Sequence, residues 1–119
     1  MSKILMIDDD LMLLDMLQEY VEESGHLVLT TSKPEQAMKL FRDTKPDLVI
    51  IDVVMPGIDG LELLRQFKEI DSAVKSMILS GLDSDELREK AKELGANQYF
   101  VKPIQIDDFR KVLLKLIAD

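Results

Sequence analysis

The sequence predicts an α/β fold in which five strands and five helices alternate along the chain. Short apolar runs of strand length recur five times in the 119 residues, and a stretch with helical spacing follows each run. Short connections between these elements favour right-handed crossovers and a parallel sheet that is covered by helices on both faces. We expect a doubly wound sheet formed by a single domain over residues 1–119; if its order is 2-1-3-4-5, the first, third, fourth and fifth strands lie side by side.

The first part of the chain supplies two strands and two helices. Residues 4–7 form an apolar strand, and residues 11–24 have helical spacing with one apolar side that ends before Gly25. Residues 27–29 form the second strand. Residues 32–35 have the pattern of a capping box, which places Ser32 at the N-cap of the second helix.

The central strand is predicted at residues 48–52, where four apolar residues run directly into Asp52. An unbroken, β-branched run of this length is typical of a strand buried on both faces in a parallel sheet. Residues 55–57 are Met-Pro-Gly, which stops a helix and requires a loop. Asp52 therefore stands at the carboxyl end of a central strand, where open α/β sheets bind ligands.

Three helices and two strands remain after the central strand. A turn at residues 59–60 opens the third helix. Residues 83–86 have the capping-box pattern, which places Asp83 at the N-cap of a fourth helix that runs to Gly95. The other elements are strands at residues 77–79 and 98–101 and a last helix that begins at Asp107 or Asp108 and reaches Ala118.

The amino-acid composition argues against several classes of function. The formal net charge of -8 repels phosphate backbones, so we expect no direct nucleic-acid binding by this domain. The absence of Cys and the single His exclude disulfides and disfavour a structural zinc site. No apolar run approaches the length of a membrane span, and no secretory segment is recognised. We therefore expect a cytoplasmic protein without membrane contact.

Chemically useful residues follow four of the five predicted strands: Asp8 and Asp9, Asp52, Ser80 and Lys102. The carboxyl ends of parallel strands lie at one edge of the sheet, so these side chains are expected to meet there. Clustered carboxylates favour a hard cation such as Mg2+, or Mn2+ in its place. The ammonium and the hydroxyl can hold phosphoryl oxygens, and an ionised aspartate is a nucleophile without a base. The set predicts metal-assisted phosphoryl transfer onto Asp52.

The motifs at these strand ends, taken as a set, identify a family. They are an acidic pair after the first strand, Asp-x-x-Met-Pro-Gly at residues 52–57, Ser after the fourth strand and Lys-Pro after the fifth. The chain resembles the receiver domain of two-component response regulators, the CheY-like family with a flavodoxin-like fold, over residues 3 to 118. The resemblance implies a role in phosphoryl-based signalling and a function for each of the residues at the strand ends.

The resemblance assigns Asp52 as the residue that accepts the phosphoryl group. Asp9 would bind the metal ion directly and Asp8 mostly through water. The backbone carbonyl of Val54 would complete the protein ligands together with Asp52. Lys102 would contact both the phosphoryl group and Asp52.

The resemblance also implies a switch formed by two further residues. Ser80 would bond a phosphoryl oxygen once it arrives, and Tyr99 occupies the aromatic switch position three residues before Lys102. The face formed by the fourth helix, fifth strand and fifth helix would then change what it binds. The Lys102-Pro103 bond is a candidate cis peptide, since X-Pro is the linkage where the cis form costs least.

By the same resemblance, Val54 and Leu82 are expected to tune the lifetime of the phosphorylated state. They stand two residues after Asp52 and two after Ser80, where receivers flank the path of the hydrolytic water. Polar residues at these positions often speed the loss of phosphate, and both are apolar here. We therefore expect self-dephosphorylation over minutes or longer.

The phosphodonor implied by the resemblance is a sensor histidine kinase or a histidine phosphotransfer protein. The expected target is a downstream protein or an output domain of the same chain, and phosphorylation-dependent homodimerisation is an open alternative. The chain is not expected to be an enzyme beyond its own phosphorylation and slow dephosphorylation. Met12 and Met16 widen the apolar side of the first helix, which places them either at the core margin or on a docking surface for a partner helix.

Two other classes remain as alternatives. An aspartyl-phosphate hydrolase of the haloacid-dehalogenase type would carry a second Asp two residues after the nucleophile, where this chain has Val54, and a cap domain. A receiver-like interaction module that never takes phosphate would not need the full acidic set. Asp10 is expected to be an N-cap rather than a ligand, and His26 a surface loop residue.

Overall fold

A five-stranded parallel sheet forms the centre of the computed structural model, which describes residues 2–55 and 58–117, with the backbone alone for Val54, Met55 and Ile58. The sheet order is β2-β1-β3-β4-β5, which confirms the predicted order. The strands are β1 (Lys3–Ile7), β2 (Leu27–Thr31), β3 (Leu48–Asp52), β4 (Lys75–Ser80) and β5 (Gln98–Val101).

Five helices cover both faces of this sheet. They are α1 (Leu11–Glu23), α2 (Pro34–Thr44), α3 (Gly60–Ile70), α4 (Asp85–Glu93) and α5 (Ile106–Ile117). A short antiparallel ribbon, in which Val54–Met55 pairs with Ile58–Asp59, joins β3 to α3. None of the helices within the described ranges is long and apolar enough to cross a bilayer.

Alternation along β3 divides the core into two layers. Val49 and Ile51 face the layer made by α2, α3 and α4, where the rings of Phe41 and Phe67 stack with centroids 4.2 Å apart. The alternate residues of β3, Leu48 and Ile50, face the opposite layer, which α1 and α5 cover and which contains Phe109. Every residue of β3 is buried, including Asp52, because helices cover both faces of the central strand.

Helix α2 begins one residue later than the capping-box pattern predicts. Its N-cap is Lys33, which makes no side-chain cap hydrogen bond, and Pro34 takes the first helical position. The hydroxyl of Thr31 accepts the Lys33 N–H at 3.0 Å instead. The assignment of Ser32 as the N-cap is therefore wrong, because the hydroxyl at the buried end of β2 already holds the entry to the helix.

Helix α4 shows the same offset of one residue. Ser84 is the N-cap and accepts the Leu87 N–H at 3.2 Å, so the prediction of Asp83 is wrong. Asp83 forms an ion pair with Arg88 at 3.0 Å, which directs its carboxylate along the helix rather than onto the first turn. Helix α5 begins at Ile106 rather than at residue 107 or 108, and its predicted end at Ala118 lies outside the described residues.

Three further end signals agree with the sequence. Asp10 caps α1 by accepting the Leu13 N–H at 3.1 Å, and Asp59 caps α3 by accepting the Leu61 N–H at 2.9 Å. Gly25 adopts a φ of 88°, which turns the chain out of α1 and which few other residues tolerate.

The corrected cap of α4 leads to a stability prediction. Ser84→Ala leaves the Leu87 N–H without its side-chain acceptor and should lower the free energy of unfolding by about 1 kcal/mol. Asp83→Ala removes an exposed ion pair and should cost about 0.5 kcal/mol or less. Urea unfolding of both variants measures the difference, and a larger loss in Asp83→Ala would contradict the assignment.

Candidate functional site

The carboxyl ends of four strands bring the predicted site residues to one edge of the sheet. Asp8 follows β1, Asp52 ends β3 and Ser80 ends β4. Lys102 follows β5, and its N–H donates to the Ser80 carbonyl at 2.7 Å, which extends the pairing of β4 and β5 beyond their last residues. The structure therefore brings together residues that are up to 94 positions apart in the sequence, as 102 minus 8.

Three carboxylates form the acidic part of the site. Asp8, Asp9 and Asp52 each offer one oxygen, and these oxygens all lie within 4.8 Å of one another. Asp8 and Asp52 are buried, with 1% and 3% of their surfaces exposed, whereas Asp9 is exposed. The cluster is thus anchored in the sheet edge on two sides and open to solvent through Asp9.

Lys102 supplies the positive charge beside these carboxylates. Its Nζ lies 2.8 Å from Asp8 Oδ2 and 3.4 Å from Asp52 Oδ2. Burial lowers the pKa of Lys102, but the hydrogen bond to Asp8 and the charges of Asp8 and Asp52 together raise it above its usual value of 10.5. Lys102 is therefore held as an ammonium. The Lys102-Pro103 bond that follows is cis, as the sequence predicts.

The donor set fits a divalent cation. One ammonium faces three carboxylates, so their repulsion is only partly compensated. Asp8 Oδ2 is buried and, apart from its contact with Lys102, has no hydrogen-bond donor among the described residues. Carboxylate oxygens with an opening to water on one side are the ligands that Mg2+ and Mn2+ prefer.

The Val54 backbone lies two residues beyond Asp52 at the start of the short ribbon, and its carbonyl remains an expected fourth protein ligand. Its side chain lies outside the described residues, so the tuning role assigned to that side chain is not tested. The tuning residue Leu82 is 53% exposed. Slow dephosphorylation stays a prediction.

Backbone contacts hold Asp8 in place. Its N–H donates to the Thr31 carbonyl at 3.2 Å, and its Oδ1 accepts the Asp10 N–H at 2.9 Å. Thr31 has no role among the residues predicted from the sequence, although the parallel register pairs it with Ile7, the residue before Asp8. Because the contact uses the Thr31 backbone carbonyl, the residue type gave no signal, and only the register of β1 with β2 points to it.

Ser80 and Tyr99 are connected through the backbone of one residue. The buried Ser80 hydroxyl accepts the Leu82 N–H at 3.0 Å, and the Tyr99 hydroxyl donates to the Leu82 carbonyl at 2.9 Å. The guanidinium of Arg88 lies 4.9 Å from the centre of the Tyr99 ring. A movement of the segment around Leu82 must therefore change the environment of Tyr99.

Two other groups of residues lie beside the site or far from it. Met12 and Met16 are 83% and 45% exposed, so Met12 does not lie at the core margin. A groove of about 450 Å³ runs from Met16 past Pro103 to Lys102. His26 lies at the opposite end of the sheet, where its Nδ1 accepts the Ser2 N–H at 3.1 Å.

Comparisons with known proteins agree with this arrangement. The family model of the response regulator receiver domain matches residues 4–114. Sporulation initiation phosphotransferase F of Bacillus subtilis is 32% identical over 116 residues, which cover 98% of this chain and 94% of that protein. Several other relatives are longer, and the chain spans less than half of their length.

Solved structures show the same fold. The non-phosphorylated HemR receiver domain of Leptospira biflexa matches with a TM-score of 0.94 and 25% identity, over 100% of this chain and 96% of that one. The response regulator TrrA of Thermotoga maritima, solved in complex with Mg2+–BeF, matches with a TM-score of 0.86 and 31% identity, over 98% and 100% of the two chains.

The chain belongs to the response regulator receiver domain family. It is a receiver domain of two-component signalling systems, with a largely buried aspartate cluster, open through Asp9, at the position expected for the phosphoacceptor site. This finding favours the receiver over the haloacid-dehalogenase type of hydrolase and over a receiver-like interaction module that never takes phosphate.

Metal binding at the cluster should stabilise the fold, because the ion binds the assembled carboxylates and not the unfolded chain. Mg2+ at tenfold its dissociation constant should raise the free energy of unfolding by about 1.4 kcal/mol. Asp9→Asn should abolish this increment. Thermal unfolding with and without Mg2+ measures it.

Asp10→Asn is the matched control, because it removes one neighbouring negative charge while Asn remains a good N-cap for α1. The control should keep the increment of the unchanged protein. An equal loss of the increment in both variants would show a nonspecific charge effect rather than a site.

Proposed function

We propose that Asp52 accepts a phosphoryl group from the phosphorylated imidazole of a histidine kinase or a histidine phosphotransfer protein. The observation that supports this most strongly is the meeting of Asp52, Asp8 and Lys102, with the Lys102 ammonium 2.8 Å and 3.4 Å from oxygens of the two carboxylates. A buried carboxylate held beside a cation and a second acidic group is suited to phosphoryl transfer rather than to proton transfer.

In the proposed reaction an oxygen of Asp52 attacks phosphorus as the bond from phosphorus to the donor imidazole nitrogen breaks. The electron pair of that bond leaves with the imidazole, and Asp52 becomes an acyl phosphate. A divalent cation bound by Asp8, Asp9 and Asp52, with the Val54 carbonyl, would supply positive charge beside the phosphoryl oxygens.

Lys102 orients and neutralises the acceptor. It lies between Asp8 and Asp52, so it reduces the repulsion between these carboxylates and an incoming phosphoryl group. After transfer, its ammonium is within reach of a phosphoryl oxygen on Asp52. No proton has to leave Asp52 for the attack. We propose that the chain catalyses its own phosphorylation and the slow hydrolysis of the resulting acyl phosphate, and no other reaction.

The switch is proposed to start at Ser80. Its hydroxyl accepts the Leu82 N–H and can donate its proton to a phosphoryl oxygen. A shift of Ser80 toward the phosphoryl group carries Leu82 with it, and Tyr99 follows because its hydroxyl is bonded to the Leu82 carbonyl. The face of α4, β5 and α5 would then change its affinity for a downstream protein, an output domain or a second copy of the chain.

Phosphorylation can be measured directly on the intact protein. Incubation with acetyl phosphate and Mg2+ should add one phosphoryl group to the chain, detected by intact-protein mass spectrometry. Asp52→Ala should add none, because the acceptor oxygen is lost. Asp59→Asn, which replaces another Asp but keeps the cap of α3, should still be labelled. Continued release of phosphate from unrelated phosphoesters would instead support a hydrolase.

The exposed end of α1 is proposed to dock the phosphodonor. Leu11, Met12 and Met16 expose 62%, 83% and 45% of their surfaces on α1, and Met16 also lines the groove that includes Lys102. Adaptable, exposed Met side chains on the helix that follows Asp10 suit an apolar partner helix.

Substitution at Met12 tests this docking. Met12→Asp should slow transfer from the cognate kinase about tenfold, while labelling by acetyl phosphate is unchanged, because only the protein donor needs the surface. Ile70→Asp is the control, since Ile70 is also an exposed apolar residue, at 47%, at the end of α3. Equal slowing with both donors would argue against docking at Met12.

A further inference from the structure

The first residue of α3 lies directly against the backbone of Asp52. Gly60 is buried, and its N–H donates to the Val53 carbonyl at 3.0 Å. A Cβ atom on Gly60 would lie 2.8 Å from Val53 Cα and 3.0 Å from the carbonyl carbon of Asp52. It would come closer still to the Asp52 carbonyl oxygen, well inside van der Waals contact.

Space is the reason for glycine at this position. The positive φ values of the described glycines belong to Gly25 and Gly95, so Gly60 does not need glycine for its conformation. Alanine is in general a better helix former than glycine. What excludes alanine is the backbone of residues 52 and 53, which cannot rotate away as a side chain can.

Hydrogen bonding and core packing hold both of the backbone segments that meet at this contact. Val53 N–H donates to the Leu79 carbonyl at 3.0 Å, which continues the pairing of β3 with β4 beyond Asp52. On the other side, Leu64 and Phe67 of α3 are fully buried, and Phe67 stacks on Phe41. An added methyl group must therefore displace either the end of β3 or the start of α3.

We propose that Gly60 is a positioning residue for phosphoryl transfer. By allowing the start of α3 to pack against the Asp52 carbonyl, it fixes the position of the Asp52 backbone at the sheet edge. That position keeps the Asp52 carboxylate 3.4 Å from Lys102 Nζ and within the acidic cluster. The inference rests on the proposed role of Asp52 as the acceptor.

The expected consequence of an added methyl group is a slower reaction in a folded protein. Displacement of a reacting group by about 1 Å can cost up to about a hundredfold in rate. Gly60→Ala should therefore lower the labelling rate with acetyl phosphate at saturating Mg2+ by roughly tenfold to a hundredfold. It should also weaken Mg2+ binding, because Asp52 is one of the three carboxylates of the cluster.

Two controls separate positioning from stability. Gly81→Ala makes the same chemical change next to Ser80, where an added Cβ would meet nothing within 4 Å. Leu113→Ala opens a cavity in the core layer of α1 and α5, on the opposite face of the sheet from α3, and destabilises the fold without touching the site. All rates are measured at a temperature where circular dichroism shows each variant to be folded.

Four results are possible, and each decides the role of Gly60 or of Asp52. Labelling of Gly60→Ala that is at least about tenfold slower than that of both controls supports the positioning role. A Gly60→Ala rate equal to that of Leu113→Ala overturns it, and so does a Gly60→Ala protein that stays unfolded in saturating Mg2+, because glycine then serves the fold alone. Failure of the unchanged protein to be labelled would instead overturn the proposed function of Asp52.

Discussion

Electrostatic repulsion between three carboxylates at one sheet edge is the constraint on which the site depends. Asp8 and Asp52 are buried there, and a buried carboxylate is stable only when positive charge or hydrogen bonds compensate it. Lys102, directly after β5, provides part of that compensation, and the Asp10 N–H donates a hydrogen bond to one oxygen of Asp8. The remaining negative charge is what suits this edge to a divalent cation.

The parallel sheet makes this arrangement possible. Residues that follow successive strands meet at one edge only when the strands run in the same direction, and helices on both faces bury the central strand up to Asp52. The site is then completed by backbone contacts rather than by side-chain packing. The Thr31 carbonyl holds the amide of Asp8, and Gly60 lets α3 approach the carbonyl of Asp52.

The same edge connects the site to the surface of α4 and β5. Leu82 uses its N–H for Ser80 and its carbonyl for Tyr99, so two hydrogen bonds join a buried hydroxyl to a partly exposed ring. Arg88 packs over that ring and pairs with Asp83, which ties α4 to the same segment. A ligand at the site can shift this network only by binding its two arrangements with different affinity.

The sequence alone determined the alternation of strands and helices and the residues at the strand ends, and its resemblance to the receiver family supplied the strand order and the candidate cis bond before Pro103. The alternation and the strand ends follow from hydrophobic period and chain direction, which can be read locally along the chain. The tertiary structure decided the caps at Lys33 and Ser84, the anchor at Thr31 and the close approach at Gly60. Each of these depends on how far an atom reaches across a loop or between two backbones, and such distances exist only after distant segments have packed.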